Sequence, residues 1–260
     1  MPKKDVKKSI EKSKIEYEDR IIAFVDIMGF KNMVDESIND PYQYAKIKDA
    51  LNTFRNLKKE KEDPLYDKDI KVTTFSDSLI ISYPADYKGG LFYIILDLIY
   101  LQFNFSQLGV IIRGGIAMGK LRHIREEIFG PAMNDAYLLE STKANYPRIV
   151  IEQETINTAL DCTYDKDFPK EYSLKSEKDD VMSLLKKDDD GLFYLDFLRQ
   201  YSEFDYTEDY YQMLATIGNV IQRGKTLAKD DPKLSEKYDW LEHYYNSVAK
   251  EIKPRAALVC

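Results

Sequence analysis

The sequence predicts an α/β protein: a mixed sheet with flanking helices, followed by a helical extension. Three observations carry that prediction. Short apolar runs of strand formers alternate with longer segments of helical spacing up to about residue 152. Two of those runs, "IKVTTF" and "SLIISY", are separated only by Ser76 and Asp77, a hairpin signal. From about Gln153 the strand signal fades into a charged stretch and two long helical segments.

"IIAFV" (21–25) is a continuous run of strand formers, as expected of a strand buried on both faces. Gly29 marks a turn into "FKNMVDE". Pro41 suits a helix start, and Tyr44, Ile47, Leu51, Phe54 and Leu57 share one helical face behind it. After the hairpin, "GLFYIILDLIYLQFNFSQ" reads as a mostly buried helix. "VIIRGGIAMG" reads as a strand whose glycines admit a close backbone neighbour, and "KLRHIREEIFG" as its return. Pro131 opens a helix over "PAMNDAYLLESTKAN", and "PRIVIE" is a further strand. "DCTYDKDFPKEYSLKSEKDDVMSLLKKDDDG" reads as a charged connector, and two long helices close the chain. No internal repeat is present. The expected division is a lysine-rich tail over 1–19, a core over 20–152, and the connector with its helices over 153–260.

Composition narrows the function classes. Of the 260 residues 44% are hydrophobic, enough for a substantial core, and the net charge is -7. That balance argues against a dedicated nucleic-acid binder. The tail has no apolar segment of the secretory kind, and no run approaches a membrane span. Cys162 and Cys260 form no disulfide framework, which fits a cytoplasmic location. With His123 and His243 as the two histidines, the usual zinc site is not expected. His123 reads as a partly exposed strand residue, and Trp240 as an anchor for helix packing.

Two carboxylates stand out. Asp26 directly follows a buried apolar strand, where an acid is costly unless paired or bound to a metal. Asp77, between two serines, reads on its own as a turn residue. If the strands beginning at Ile21 and Ile70 are neighbours, both acids reach one sheet edge. There they can hold magnesium through hard oxygen ligands. Gly29 and Phe30, at the start of a helix, offer backbone N–H groups to a phosphate.

At these residues the chain resembles the class III nucleotidyl cyclases. "AFVDIMGFKNMV" is similar to their first metal segment and "TTFSDSLIIS" to their second. "IRGGIAMG" and "EIFGPAMNDAYLLES" are similar to two further segments, in the same order. The resemblance implies a ferredoxin-type mixed sheet. It implies two divalent cations, Mg2+ or Mn2+, held by Asp26, Asp77 and the carbonyl of Ile27. It places triphosphate at Gly29 and Phe30, a phosphate-contacting arginine at Arg113, and a ribose-orienting asparagine at Asn134. It further implies a homodimer with shared active sites, acting on a nucleoside triphosphate. The product would be a 3′,5′-cyclic monophosphate, with pyrophosphate released.

The departures matter too. The family arginine four residues after the asparagine is replaced by Leu138, with Lys143 and Arg148 as nearby candidates for its role. The purine-reading pair, lysine with aspartate or glutamate with cysteine, is replaced by Thr73 and Glu127. A changed pair implies a changed base, with UTP favoured and CTP possible. "AYLLES" and "ANYPRIVI" (136–151) resemble the bacterial pyrimidine cyclases of Pycsar anti-phage defence, whose product activates a partner effector. Leu138 also leaves open a rival reading, a degenerate cyclase domain that binds nucleotide or a partner without turnover.

Overall fold

A computed structural model describes residues 15–63, 69–162 and 170–252. The lysine-rich start of the tail, the middle of the expected connector and Cys260 lie outside them.

Strand β1 (Glu18–Ile27) begins inside the expected tail. Helices α1 (Phe30–Ser37) and α2 (Pro41–Lys61) follow, then the hairpin of β2 (Lys71–Phe75) and β3 (Ser78–Pro84). Next come α3 (Gly90–Gln107) and β4 (Ile112–Ile124). This βαββαβ order gives a sheet running β2-β3-β1-β4, all antiparallel, which is the ferredoxin-type arrangement. β1 therefore neighbours β3 and β4, not β2 as the sequence suggested.

The expected break inside β4 does not occur. Thirteen residues run as one strand, and only the three of β5 (Glu127–Phe129) fold back on its end. Arg125, with a positive φ of 55°, makes that turn.

Helix α4 (Pro131–Leu138) continues into a π-turn over Leu139–Lys143. Both lie on β4 at Gly115, where a Cβ would stand 2.5 Å from Leu139 Cβ and 2.6 Å from the Ala136 carbonyl. Only glycine admits the helix so near, as the sequence suggested. β6 (Ile149–Ile151) then pairs parallel to β4 and makes the sheet mixed.

The charged stretch after Gln153 is largely helical where it is described. It contains α5 (Gln153–Cys162) and α6 (Lys170–Ser183). Two three-residue strands follow, β7 (Leu185–Lys187) and β8 (Phe193–Leu195). They extend the same sheet as β6-β8-β7, so the C-terminal segment is continuous with the core sheet. Helices α7 (Thr207–Leu227) and α8 (Pro232–Glu251) complete the chain. Among the described residues no helix is long and apolar enough to cross a membrane.

Alternation along β1 assigns its two faces. Ile21, Ala23, Val25 and Ile27 are buried on the face where α3 packs, Gly90 lying against Ile21. Phe54 of α2 packs against Phe105 of α3, ring centres 4.8 Å apart and the rings tilted by 47°. Asp40 caps α2, accepting from the Tyr42 and Gln43 N–H groups. The buried stripe of α2 runs through Gln43, Ala50 and Phe54, while Tyr44 is exposed and does not share the apolar face expected of it.

Candidate active site

The other face of β1 carries Asp26. One cross-strand row spans four strands: Phe75 on β2 faces Ser78 on β3, Ser78 faces Asp26, and Asp26 faces Arg113 on β4. Residues in one row project from the same face of the sheet. Asp77 joins the row from the hairpin tip, where Ser76 adopts a positive φ of 51°.

Asp77 reaches Asp26 by way of β3 rather than β2. The Ile27 N–H donates to the Asp77 carbonyl at 3.2 Å, tying the tip to the end of β1. The Ser78 hydroxyl donates to Asp26 Oδ1 at 3.2 Å. Burial and the Asp77 charge push the Asp26 carboxyl up from its ordinary 3.8 to about 6, with Arg113 and Ser78 pulling against them. Ile27, last in β1, is buried beside them.

Gly29 follows at φ 77°, a left-handed conformation that glycine adopts without strain, and is the N-cap of α1. No side chain caps that helix. Its first N–H groups, beginning at Phe30, are therefore open to an anion.

Arg113 directly faces Asp26, yet its Nη2 lies 2.7 Å from Glu140 Oε1. The sequence reading did not single out Glu140. It lies in the π-turn, continues the buried stripe of Ala132 and Ala136 at four-residue spacing, and is only 3% exposed. That spacing was the available signal. Burial raises the Glu140 carboxyl, Arg113 lowers it, and Asp26 and Asp77 raise it further. Arg113 Nε is buried with no acceptor among the described residues.

Other expected site residues lie elsewhere. Asn134 is exposed on α4, and its side chain has no hydrogen-bond partner among the described residues. Arg148 does not face the site. It is 1% exposed, ion-paired with Asp188 and Asp190, with the Tyr146 and Trp240 rings 5.1 and 5.6 Å from its guanidinium. Its charge is already neutralised, which removes it as a substrate ligand. Lys143 is exposed and pairs with Glu152 at 2.6 Å. Neither candidate for the arginine missing at Leu138 is therefore free.

Thr73 and Glu127 do not form a base-reading pair. Thr73 is buried, donates its hydroxyl to the Arg125 carbonyl at 2.9 Å, and lies 3.1 Å from His123 Nε2. Glu127 lies across from Ile124 rather than His123, and it accepts from Arg122 at 3.1 Å. His123 is buried, not partly exposed: its Nδ1 is 2.8 Å from Ser82 Oγ. Burial, with Arg20 and two lysines nearby, lowers its pKa to about 3 and keeps it neutral.

Among the described residues no three His, Cys, Asp or Glu side chains form a cluster that could hold a metal ion. Asp26 and Asp77 nonetheless fit a divalent cation. They are two neighbouring hard-oxygen groups, and a dication offsets both the burial that chiefly raises Asp26 and the added charge of Asp77. A groove of about 710 Å3 lies between α2 and α3 rather than beside Asp26, and Asn52, Asn56, Glu60 and Asp97 are among its lining residues.

No protein-family model and no curated protein matches the chain. Among solved structures it is similar to the catalytic core of a rhodopsin-guanylyl cyclase with converted specificity, determined in complex with ATPαS. The identity is 19% and the TM-score 0.41, over 55% of this chain and 80% of that one.

Proposed function

We propose that the chain is a nucleotidyl cyclase acting on a ribonucleoside triphosphate. One observation carries the reading: Asp26 and Asp77 meet at one sheet edge, beside the uncapped start of α1 and an arginine with an uncommitted N–H. Asp26 and Asp77 would hold divalent cations, Mg2+ or Mn2+. Bound there, such ions supply charge neutralisation for the triphosphate and acidify the 3′-hydroxyl. The chain's own groups orient the substrate. N–H groups from Phe30 onward hold phosphate oxygens, and the partly exposed Arg113 guanidinium faces another. O3′ gives up its proton to solvent and attacks the α-phosphorus, the bond from that phosphorus to the bridging oxygen breaks, and pyrophosphate leaves. Such chemistry rests on positioning and charge stabilisation, without a covalent enzyme intermediate.

The proposed substrate class is a pyrimidine triphosphate. It is supported by the resemblance of 136–151 to Pycsar cyclases. Thr73 spends its hydroxyl on Arg125 and His123, so it has no donor left for a uracil carbonyl and does not favour UTP over CTP. The proposed role is second-messenger synthesis in anti-phage defence, read by a separate effector.

A homodimer is part of the proposal. The Asp26 face carries Phe75, 78% exposed, and α4 presents Tyr137 and Leu138 to solvent beside it. Asn134 would then serve the Asp26 of the other subunit. Leu138, with Lys143 and Arg148 both engaged, favours one rival: a domain that binds nucleotide without turnover. Pyrophosphate release with each of four triphosphates and Mn2+, with and without chelator, separates the two. Chelator-sensitive release supports the cyclase, and nucleotide binding without release supports the rival.

A further inference from the structure

Arg113 and Asp26 are cross-strand neighbours, a placement that ordinarily makes an ion pair between side chains of opposite charge. Arg113 instead pairs with Glu140. Glu140 is almost fully buried, and a buried acid persists only where a partner offsets its desolvation. That partner is Arg113, with Lys237 of α8 a weaker influence. The pair is close but not aligned: neither Arg113 Nε nor Glu140 Oε1 has a hydrogen-bond partner among the described residues. The guanidinium is thus held by charge while one donor stays uncommitted. The π-turn brings this about by placing Glu140 inward over β4, on the face that carries Asp26.

We propose that Glu140 is a positioning residue whose ion pair draws Arg113 away from Asp26 and Asp77. This leaves the two carboxylates free for divalent cations. The inference rests on reading Asp26 and Asp77 as a cation site. Without the Glu140 charge, Arg113 turns onto the carboxylates it faces and competes with the cation. A purely structural Glu140 would affect stability but not cation affinity.

The test is Mn2+ binding to the nucleotide-free protein, read by electron paramagnetic resonance. Glu140→Gln should weaken binding about tenfold, as loss of a supporting residue does at metal sites. Glu140→Gln combined with Arg113→Ala should restore it, because the competitor is gone. A crystal structure of Glu140→Gln should show Arg113 within hydrogen-bond distance of Asp26 or Asp77. Unchanged Mn2+ affinity in Glu140→Gln, no recovery in the double variant, or an unmoved Arg113 would each overturn the inference. If the parent protein binds no Mn2+, the cation reading fails, while the position of Arg113 in the variant structure still decides the role of Glu140. If Glu140→Gln does not fold, Glu140→Asp keeps the charge on a shorter arm. It should then bind Mn2+ more weakly than the parent, and parental affinity would overturn the inference.

Discussion

The Ile27 N–H donates to the Asp77 carbonyl at 3.2 Å, and this bond holds the β2–β3 hairpin tip against the end of β1. It places the Asp77 backbone next to Asp26 in a fixed register, with Ser78 opposite Asp26. The carboxylate pair therefore belongs to the sheet rather than to a loop. Asp26→Ala and Asp77→Ala should each lower cyclisation by about 100-fold or more, the scale seen when a transition-state charge partner is removed. Circular dichroism should remain that of the folded parent. Full turnover by either variant at unchanged cation concentration would contradict the pairing.

The raised carboxyl of Asp26 has a signed consequence for stability. Its folded pKa, about 6, lies above the ordinary 3.8. Between those values the folded state binds more protons than the unfolded state, so this group's contribution falls as pH rises through the window. Asp26→Asn cannot ionise and escapes the loss. Without divalent cations, its melting temperature should exceed the parent's at pH 7.5 and converge with it below about pH 4. Added Mn2+ should raise the parent's melting temperature but not the variant's, since binding to the folded state stabilises it. A parent that is the more stable protein at pH 7.5 without cation would refute the argument.

Shared active sites predict complementation. Asp26→Ala chains mixed with Asn134→Ala chains should recover part of the lost activity, because a hybrid dimer contains one site with both residues intact. Leu138→Glu, which adds charge to an exposed apolar position on α4, should shift the protein toward monomer in sedimentation. Subunit exchange without any recovery would rule out shared sites.

Arg148 is assigned to the fold rather than the substrate. Breaking its buried pairs with Asp188 and Asp190 should cost about 3 kcal/mol in Arg148→Ala. Arg148→Lys should not fully restore stability, since lysine lacks the planar fork and stacks less well on Tyr146 and Trp240. The folded fraction of either variant should keep the parent's KM for nucleotide. A selective rise in KM without loss of stability would return Arg148 to the site.

How far the sequence could be read depended on chain separation. Strands β1, β2 and β3, and the turn between β2 and β3, were legible because period and turn chemistry act locally. The convergence of Asp26 and Asp77 was also legible, although the assumed neighbour was β2 and the actual one is β3. Strands β7 and β8 have three residues each, too few for alternation to show against a charged background. Arg148 was misplaced because its partners lie 40 and 42 residues away, with no local trace. Glu140 escaped because a charged residue on the buried stripe of Ala132 and Ala136 reads from sequence as an exposed helical glutamate.

The most direct measurement is product identification. The purified chain is incubated with equal concentrations of ATP, GTP, CTP and UTP and with Mn2+, beside Asp77→Ala as control, and products are resolved by mass spectrometry. The predicted result is pyrophosphate with a 3′,5′-cyclic pyrimidine monophosphate as the main product, both absent from the control. Cyclic AMP or cyclic GMP as the main product would contradict the substrate class alone. No cyclic product from any triphosphate, with the protein folded and dimeric, would contradict the cyclase assignment itself.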